Sequence, residues 1–280
     1  MSKEQMNNDA IKEQLISQHQ KTQTNTEYPT EVVELPSKGL AYSLDNPLSS
    51  GKVEMKYMTA KEEDILTSDN LLKKGIAIDR LLQSLIVGNG DGKKINYNDL
   101  LVGDKNAVMM AARVLGYGGK YETKVNCPKC GEENIVEVDI TSFRDREIDF
   151  SKFNNENRFD FSLPISKKVI TFRLTTHGDE MQAASAAKAR KGKNRYGERT
   201  QSQVTARLKQ QIISVDNDDS TDIINATVDT MLSRDSLALR NYIREITPDL
   251  ETDVYFECEH CGYAEDIPFP ITQDFFWPRV

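Results

Sequence analysis

The sequence predicts an α+β fold: a tandem duplication of a unit in which helices lead into a β-hairpin, with the two hairpins joining in one zinc-ribbon-like site. Three observations predict this. Cys127-Pro-Lys-Cys130-Gly131 and Cys258-Glu-His-Cys261-Gly262 account for all four cysteines. Apolar residues alternate into and out of each knuckle: Tyr121, Thr123, Val125 and then Val136, Val138, Ile140 in the first, and Val254, Phe256 and then Ile267, Phe269, Ile271 in the second. With the cysteines superposed, Asp104 pairs with Asp235, while Val108, Ala112, Arg113 and Leu115 pair with Leu239, Ile243, Arg244 and Ile246, all without a gap.

The correspondence extends upstream once loop lengths are allowed to differ. Leu100-Leu101 pairs with Met231-Leu232, Arg80-Leu81 with Arg207-Leu208, the turn at Thr59 and Glu62 with that at Thr176 and Asp179, and Leu35-Pro36 with Leu163-Pro164. A repeat of this period is two domain-sized units rather than a solenoid. The expected division is an arm over 1–30, a first repeat over 31–142, a connector over 143–158, a second repeat over 159–273 and an aromatic tail over 274–280.

Composition narrows the class. A chain of 280 residues, 38% hydrophobic, has room for about two domains. A net charge of -8 and a pI near 5.1 argue against a surface that tracks nucleic acid throughout. No run approaches the ~18 apolar residues of a membrane helix. The opening MSKEQMNNDAIKEQ lacks the apolar stretch of a signal peptide. CxxC pairs without an export signal fit metal binding in a reducing, cytoplasmic setting.

Taken in order, the polar residues 1–30 have few side chains to bury and read as a disordered arm, or as one that orders against a neighbouring subunit. Structure is expected from Val32 to Pro36, before the turn Ser37-Lys38-Gly39, and as a strand over 52–58. Thr59 with Glu62 has the form of a capping box, so a helix is expected over 60–74. Its acidic start, Glu62-Glu63-Asp64, suits a first helical turn and needs no catalytic role. A second helix is expected over 76–87, with Ile78, Leu81, Leu82 and Leu85 on one face. Gly88-Asn-Gly-Asp-Gly92 ends it; Gly92-Lys93 is followed by Lys94, so the loop lacks the Ser or Thr of a phosphate-binding loop. A third helix is expected from a cap at Asp104 to Gly116, and its counterpart from Asp235 to the residues before Pro248. Arg113 and Arg244 hold equivalent places, either paired with acidic residues of their own repeat or facing a partner.

The knuckles carry the chemistry. A CxxC that opens a helix is a redox pair, its thiol acidified by the helix N-terminus; these two lie between strands. Two hairpin tips brought together supply the four thiolates of a structural zinc site, Cys127, Cys130, Cys258 and Cys261, with one Zn per chain and no open coordination position. Linear spacing gives no support for that pairing; the duplication does. His260 lies inside the second knuckle, but the first has Lys129 there, so histidine is left out of the ligand set.

Two further stretches are candidates for partner binding. Residues 188–199 hold six basic side chains, Lys188, Arg190, Lys191, Lys193, Arg195 and Arg199, against one acidic one. An acidic protein surface, nucleic acid, or solvent alone would suit them, and protein is preferred to nucleic acid because only Tyr196 offers a stacking platform. Phe275, Phe276 and Trp277 in the tail must be covered, by the chain's own core or by a neighbour.

Glu34-Leu-Pro-Ser-Lys-Gly-Leu-Ala-Tyr42, Met58-Thr-Ala-Lys-Glu-Glu-Asp-Ile-Leu66, Asp99-Leu-Leu-Val-Gly-Asp104 and Ala112-Arg-Val-Leu-Gly-Tyr117, followed by the CPxCG knuckle, resemble the baseplate hub subunit family of T-even-type bacteriophages. The resemblance is strongest over 31–142 and weaker beyond. It implies a non-enzymatic protein needed to build the hub of a contractile-tail baseplate, assembled in the host cytoplasm among other baseplate or tail subunits, as a permanent component or as an assembly chaperone absent from the mature particle. The duplication and the zinc site come from the residues and not from the family. The contrasting reading is a zinc-ribbon module that binds nucleic acid through residues 188–199.

Overall fold

The structure, a computed structural model, describes residues 28–191, 203–269 and 273–276. In the first half, β1 (Thr30–Glu34) and β2 (Lys52–Lys56) form an antiparallel pair. Three helices follow, α1 (Ala60–Leu66), α2 (Asp69–Lys74) and α3 (Ala77–Leu85), and β3 (Ile86–Gly88) then returns to the free side of β2. The long helix α4 (Val102–Tyr117) leads into the hairpin of β4 (Lys120–Asn126) and β5 (Glu133–Asp139).

After the short strand β6 (Arg144–Asp145) the order recurs. Strands β7 (Phe159–Ser162) and β8 (Val169–Phe172) pair; helices α5 (His177–Lys191) and α6 (Gln203–Gln211) follow; β9 (Ile212–Val215) completes a sheet of order β7-β8-β9, matching β1-β2-β3. Then come α7 (Thr221–Asp229), the long helix α8 (Ser233–Ile246), β10 (Leu250–Glu251), and the hairpin of β11 (Asp253–Glu257) and β12 (Ala264–Pro268). In both sheets the register shifts where the third strand joins, between Glu54 and Met55 and between Thr171 and Phe172.

Matching residues make matching bonds. Thr59 donates from its backbone N–H and Oγ1 to the Glu62 carboxylate, closing a capping box, and Lys56 Nζ reaches the same carboxylate at 2.7 Å. Thr176 does the same to Asp179, with Arg173 Nη2 at 2.7 Å. The acidic start of α1 is therefore structural, as its position implies.

Asp104 and Asp235 do not cap their own helices. Both are buried in the first turn, and each reaches back to the Leu-Pro turn that follows the first strand of its half. Asp104 accepts from the Ser37 N–H (2.9 Å), Ser37 Oγ (2.7 Å) and the Tyr42 hydroxyl (2.6 Å). Asp235 accepts from the N–H groups of Ile165 (2.7 Å) and Ser166 (3.0 Å). A buried carboxylate needs such donors, and these pin each long helix to its sheet.

Three local expectations shift. The helix expected over 60–74 breaks at Thr67-Ser68, where the Thr67 N–H turns to the carbonyls of Glu63 and Ile65. Ile86 and Val87 leave the helix expected to run to 87 and pair with β2, which suits residues stiff at χ1. Residues 143–158 do more than connect: β6 pairs with β10, Phe143 and Phe153 pack on the core, and Asn157 exchanges two hydrogen bonds with the Leu174 backbone.

One apolar core runs through both halves, from Leu48 and Val53 through Leu81, Val108 and Phe172 to Leu239 and Phe276. The halves are joined at the start of α4. Leu101 bridges to Thr176, the Val102 N–H donates to Thr175 O, and the His177 N–H donates to Leu100 O. Gly103 lies so close to the second half that a Cβ there would come within 1.9 Å of the Pro248 carbonyl oxygen.

A buried polar group sits at the same junction. The His177 ring packs edge-on against Tyr97, with Nδ1 3.3 Å from Lys105 Nζ and Nε2 3.6 Å from Asp79 Oδ1. Lys105 Nζ also donates to Glu180 at 2.8 Å, and the Tyr97 hydroxyl donates to Asp79 at 3.0 Å. Nδ1 can accept from the Lys105 ammonium only while the ring is neutral. Burial lowers the His177 pKa, and the Lys105 charge adds to that effect while Asp79 and Glu180 oppose it.

Two predictions follow from these bonds. Asp104→Asn or Asp235→Asn puts an amide donor against N–H donors, so each variant should lose about 1–3 kcal/mol of stability by denaturant titration, against little change for Asp219→Asn on the surface. The lowered His177 pKa means that the unfolded chain takes up the proton first. Its contribution to stability is complete above about pH 6.5 and is lost as the pH falls below that. Burial pushes the Asp104 carboxyl up to about 6, which acts in the opposite sense over the same window, so the His177 contribution is read as a difference: on acidification below about pH 6.5 the denaturation midpoint of the wild type should fall relative to that of His177→Gln.

Candidate metal centre

Each knuckle is built by its hairpin. Strands β4 and β5 pair in unbroken register from Lys120 with Asp139 to Asn126 with Glu133, and β11 and β12 pair from Asp253 with Pro268 to Glu257 with Ala264. At the tips the Cys127 N–H donates to Glu132 O and the Gly131 N–H to Cys127 O, both at 2.9 Å. Cys258 with Tyr263, and Gly262 with Cys258, repeat the pattern at 2.8 and 2.9 Å. The turn closes through Gly131 at φ 79° and Gly262 at φ 67°, a left-handed backbone that glycine adopts without a Cβ clash.

The tips meet. Cys127 Sγ lies 3.7 Å from Cys261 Sγ and Cys130 Sγ lies 3.6 Å from Cys258 Sγ, and the four sulfurs all fall within 4.8 Å of one another. These separations are too long for a disulfide, whose sulfurs stand ~2.05 Å apart. The two cross-hairpin distances match the ~3.75 Å edge of a thiolate tetrahedron around an ion with ~2.3 Å metal–sulfur bonds. The four sequence-predicted ligands are thus brought together, and His260 is not among the metal-competent groups of the described residues.

The surroundings suit anionic sulfur at the two buried cysteines. At Cys130 and Cys261 the amides of Glu132 and Tyr263 are outweighed by burial and the neighbouring thiols, which push Cys130 up to about 12 and raise Cys261. Cys127 and Cys258 are buried beside Phe256 under a shell of Val125, Val136, Tyr263 and Ile267, whereas Cys130 and Cys261 are exposed. Burial raises the Cys127 and Cys258 thiols, but amide N–H groups outweigh it, those of Cys130 and Lys129 toward Cys127 and those of His260 and Cys261 toward Cys258. Both end below the usual thiol range, Cys258 at about 6. A cation among the sulfurs would favour the thiolate at all four positions.

Asn134 fastens one tip to the other, a role the sequence did not signal. Its side-chain amide donates to Glu132 O (2.9 Å) and toward Cys258 Sγ (3.6 Å), and its oxygen accepts from the Glu259 N–H (3.0 Å). The residue at the matching place in the second hairpin is Glu265, which is exposed and takes a hydrogen bond from the Tyr263 hydroxyl instead.

The other candidates separate. Phe275 and Phe276 are 1% and 0% exposed, and Phe275 packs edge-on against Tyr121 at 5.2 Å. Their rings fill this chain's own core and present no face to a partner. Lys188, Arg190 and Lys191 lie on the last turn of α5, their side chains outside the described residues; Lys193, Arg195, Arg199 and Trp277 lie outside them altogether, as does the arm up to residue 27. Among the described residues neither helix arginine pairs with an acid. Arg113 is buried and donates to the carbonyls of Gly118 (2.9 Å) and Lys120 (3.2 Å), while exposed Arg244 donates to Asn241.

The fold and the cluster define the class: an α+β protein whose two terminal hairpins converge on four cysteines able to hold a metal ion. The family model for the T4 bacteriophage base plate protein matches residues 28–277, and the chain belongs to that family. Comparison with curated proteins and with solved structures gives no match. Membership indicates a structural rather than an enzymatic protein, associated with the baseplate and its neighbouring tail components. Among the described residues no helix is long and apolar enough to cross a membrane.

Cobalt(II) added to metal-free protein should give the intense visible bands of a tetrahedral tetrathiolate site, at one ion per chain. Cys258→Ser should weaken these bands and lower the thermal midpoint, by about 2–4 °C per kcal/mol lost in a chain of this size. Octahedral, weakly coloured cobalt would show that the sulfurs do not act together.

Proposed function

We propose that this chain is a non-enzymatic component of the baseplate hub of a contractile phage tail, in which one structural zinc clamps two duplicated halves. The observation that carries the reading is the meeting of two knuckles 128 residues apart in sequence, Cys130 against Cys258, at tetrahedral sulfur spacing in a chain of the baseplate family. Zinc fits the donor set best because four sulfurs in a tetrahedron suit a soft, redox-silent ion. Four thiolates complete its coordination, so the ion serves cohesion.

The duplication is supported by the shared order of elements, by the equivalent ties of Asp104 and Asp235, and by the twin capping boxes with a cation three residues ahead of each. The hub assignment is supported by the motifs over 34–42, 58–66, 99–104 and 112–117. In this reading the chain works in the virion tail baseplate after assembly in the host cytoplasm, and contacts other baseplate or tail subunits through the basic residues from Lys188 to Arg199 and through Trp277.

Quantitative mass spectrometry of purified infectious particles, with metal analysis of the isolated chain, tests both parts. A small fixed copy number in particles and one zinc per chain are expected. Presence only in tail precursors would make the chain an assembly chaperone. Absence from both, with salt-sensitive RNA or DNA binding lost on neutralising Lys188 to Arg199, would replace the hub reading with a nucleic-acid one.

A further inference from the structure

The knuckle hairpins pack closely along one side and leave a slot along the other. On the packed side Tyr121 of β4 meets Phe269, just beyond β12, edge-on at 5.3 Å, and Phe275 seals the contact. The alignment that carries Cys127 onto Cys258 carries Tyr121 onto Thr252 and Val138 onto Phe269. By that alignment Val138 and Thr252 are the counterparts of the aromatic pair, and on the Val138 side a slot of about 400 Å³, lined in part by Val138 and Phe143, lies between β5 and β11.

Its walls are strand edges. Residues 136–139 of β5 and 253–255 of β11 line it consecutively, and because side chains alternate between faces, consecutive lining means that the edge of each strand looks into the slot. Among the described residues strand β5 pairs with β4 alone and β11 with β12 alone. The two edges run antiparallel, held at one end by the β6–β10 pair and at the other by the cysteine cluster. Glu137, Asp139, Glu251 and Asp253 line the slot with one lining cation, Arg144; Lys120 pairs with Glu137 at 3.1 Å and Thr141 donates to Asp139. Glu251 and Asp253 have no hydrogen-bonding or ion-pair partner for their side chains among the described residues.

We propose that the slot takes an extended segment of another protein subunit, bearing Lys or Arg at alternate positions, which inserts as a strand between β5 and β11. The added strand runs parallel to one edge and antiparallel to the other, and turns two hairpins into one five-stranded sheet. Unpaired edges supply the main-chain bonds, and the carboxylates select the charge. The cysteine cluster fixes the width of the slot at one end, so a bound metal preorganises it. The proposal draws on the baseplate reading only for the source of the segment, and particle composition can fail that reading without touching the slot.

The test uses the full, metal-loaded chain and three fluorescent octapeptides: one alternating Lys and Val, its Glu-for-Lys counterpart, and the Lys peptide with a central proline. Amides of 136–139 and 253–255 that face the slot should exchange rapidly in the free protein and become protected by the Lys peptide. Proline, which removes a ladder donor, should weaken binding by about tenfold or more. The double variant Glu251→Lys, Asp253→Lys, with metal content and thermal midpoint retained, should prefer the Glu peptide. Slot amides already protected in the free chain, equal binding of the proline peptide, failure of the Lys peptide to bind, or a charge preference unmoved by the double variant would each overturn the proposal.

Discussion

Two buried carboxylates set this architecture. Asp104 and Asp235 are fully shielded from water, and a carboxylate in that position must be met by donors. The donors come from the turn after the first strand of each half, 67 residues before Asp104 and 70 before Asp235. Meeting that demand fixes the start of a long helix against a sheet. The end of each helix then fixes where the following hairpin begins, and the hairpins carry the cysteines. The four sulfurs converge where the two hairpin tips meet, and a metal ion bound there would tie the tips together.

How much of this was legible depends on how local each signal is. The capping box of Thr59 and Glu62, the apolar face of Leu81, Leu82 and Leu85, and the strand pairing on either side of each CxxCG are decided within a few residues, and the structure realises them, Ile271 lying outside the described residues. Asp104 and Asp235 looked equally local, as helix caps, but their partners lie far upstream and no spacing rule connects them. Ile86 and Val87 fit the end of a helix or a strand about equally well. What decides is the open edge of β2, visible only in three dimensions.

The four cysteines were legible as a group because the repeated pattern placed two knuckles in equivalent settings, which their linear separation alone does not suggest. Asn134 was not legible, since its bonds cross between hairpins and its counterpart Glu265 does nothing comparable. The terminal phenylalanines carried a true signal, that aromatic side chains must be covered, without saying by what. The answer is Tyr121 and Phe269 of the same chain. The slot had no positive signal at all, because it lies between two hairpins that are far apart in sequence.

The two halves are most informative where they differ. Local constraints are the same for both, so a departure reflects what surrounds that position. The His177 group has no equivalent at Ala60, its place in the first half, because only the second half meets Lys105 and Asp79 across the junction. Arg113 is drawn under its helix by the carbonyls of Gly118 and Lys120, while Arg244 stays at the surface. Beside the cysteines, Tyr121 and Phe269 meet on one side, and on the other the edges of β5 and β11 line a slot. A symmetric pair of hairpins would bury both sides or neither; burying one anchors the tips to the core and leaves two strand edges, held apart at a fixed width, facing outward.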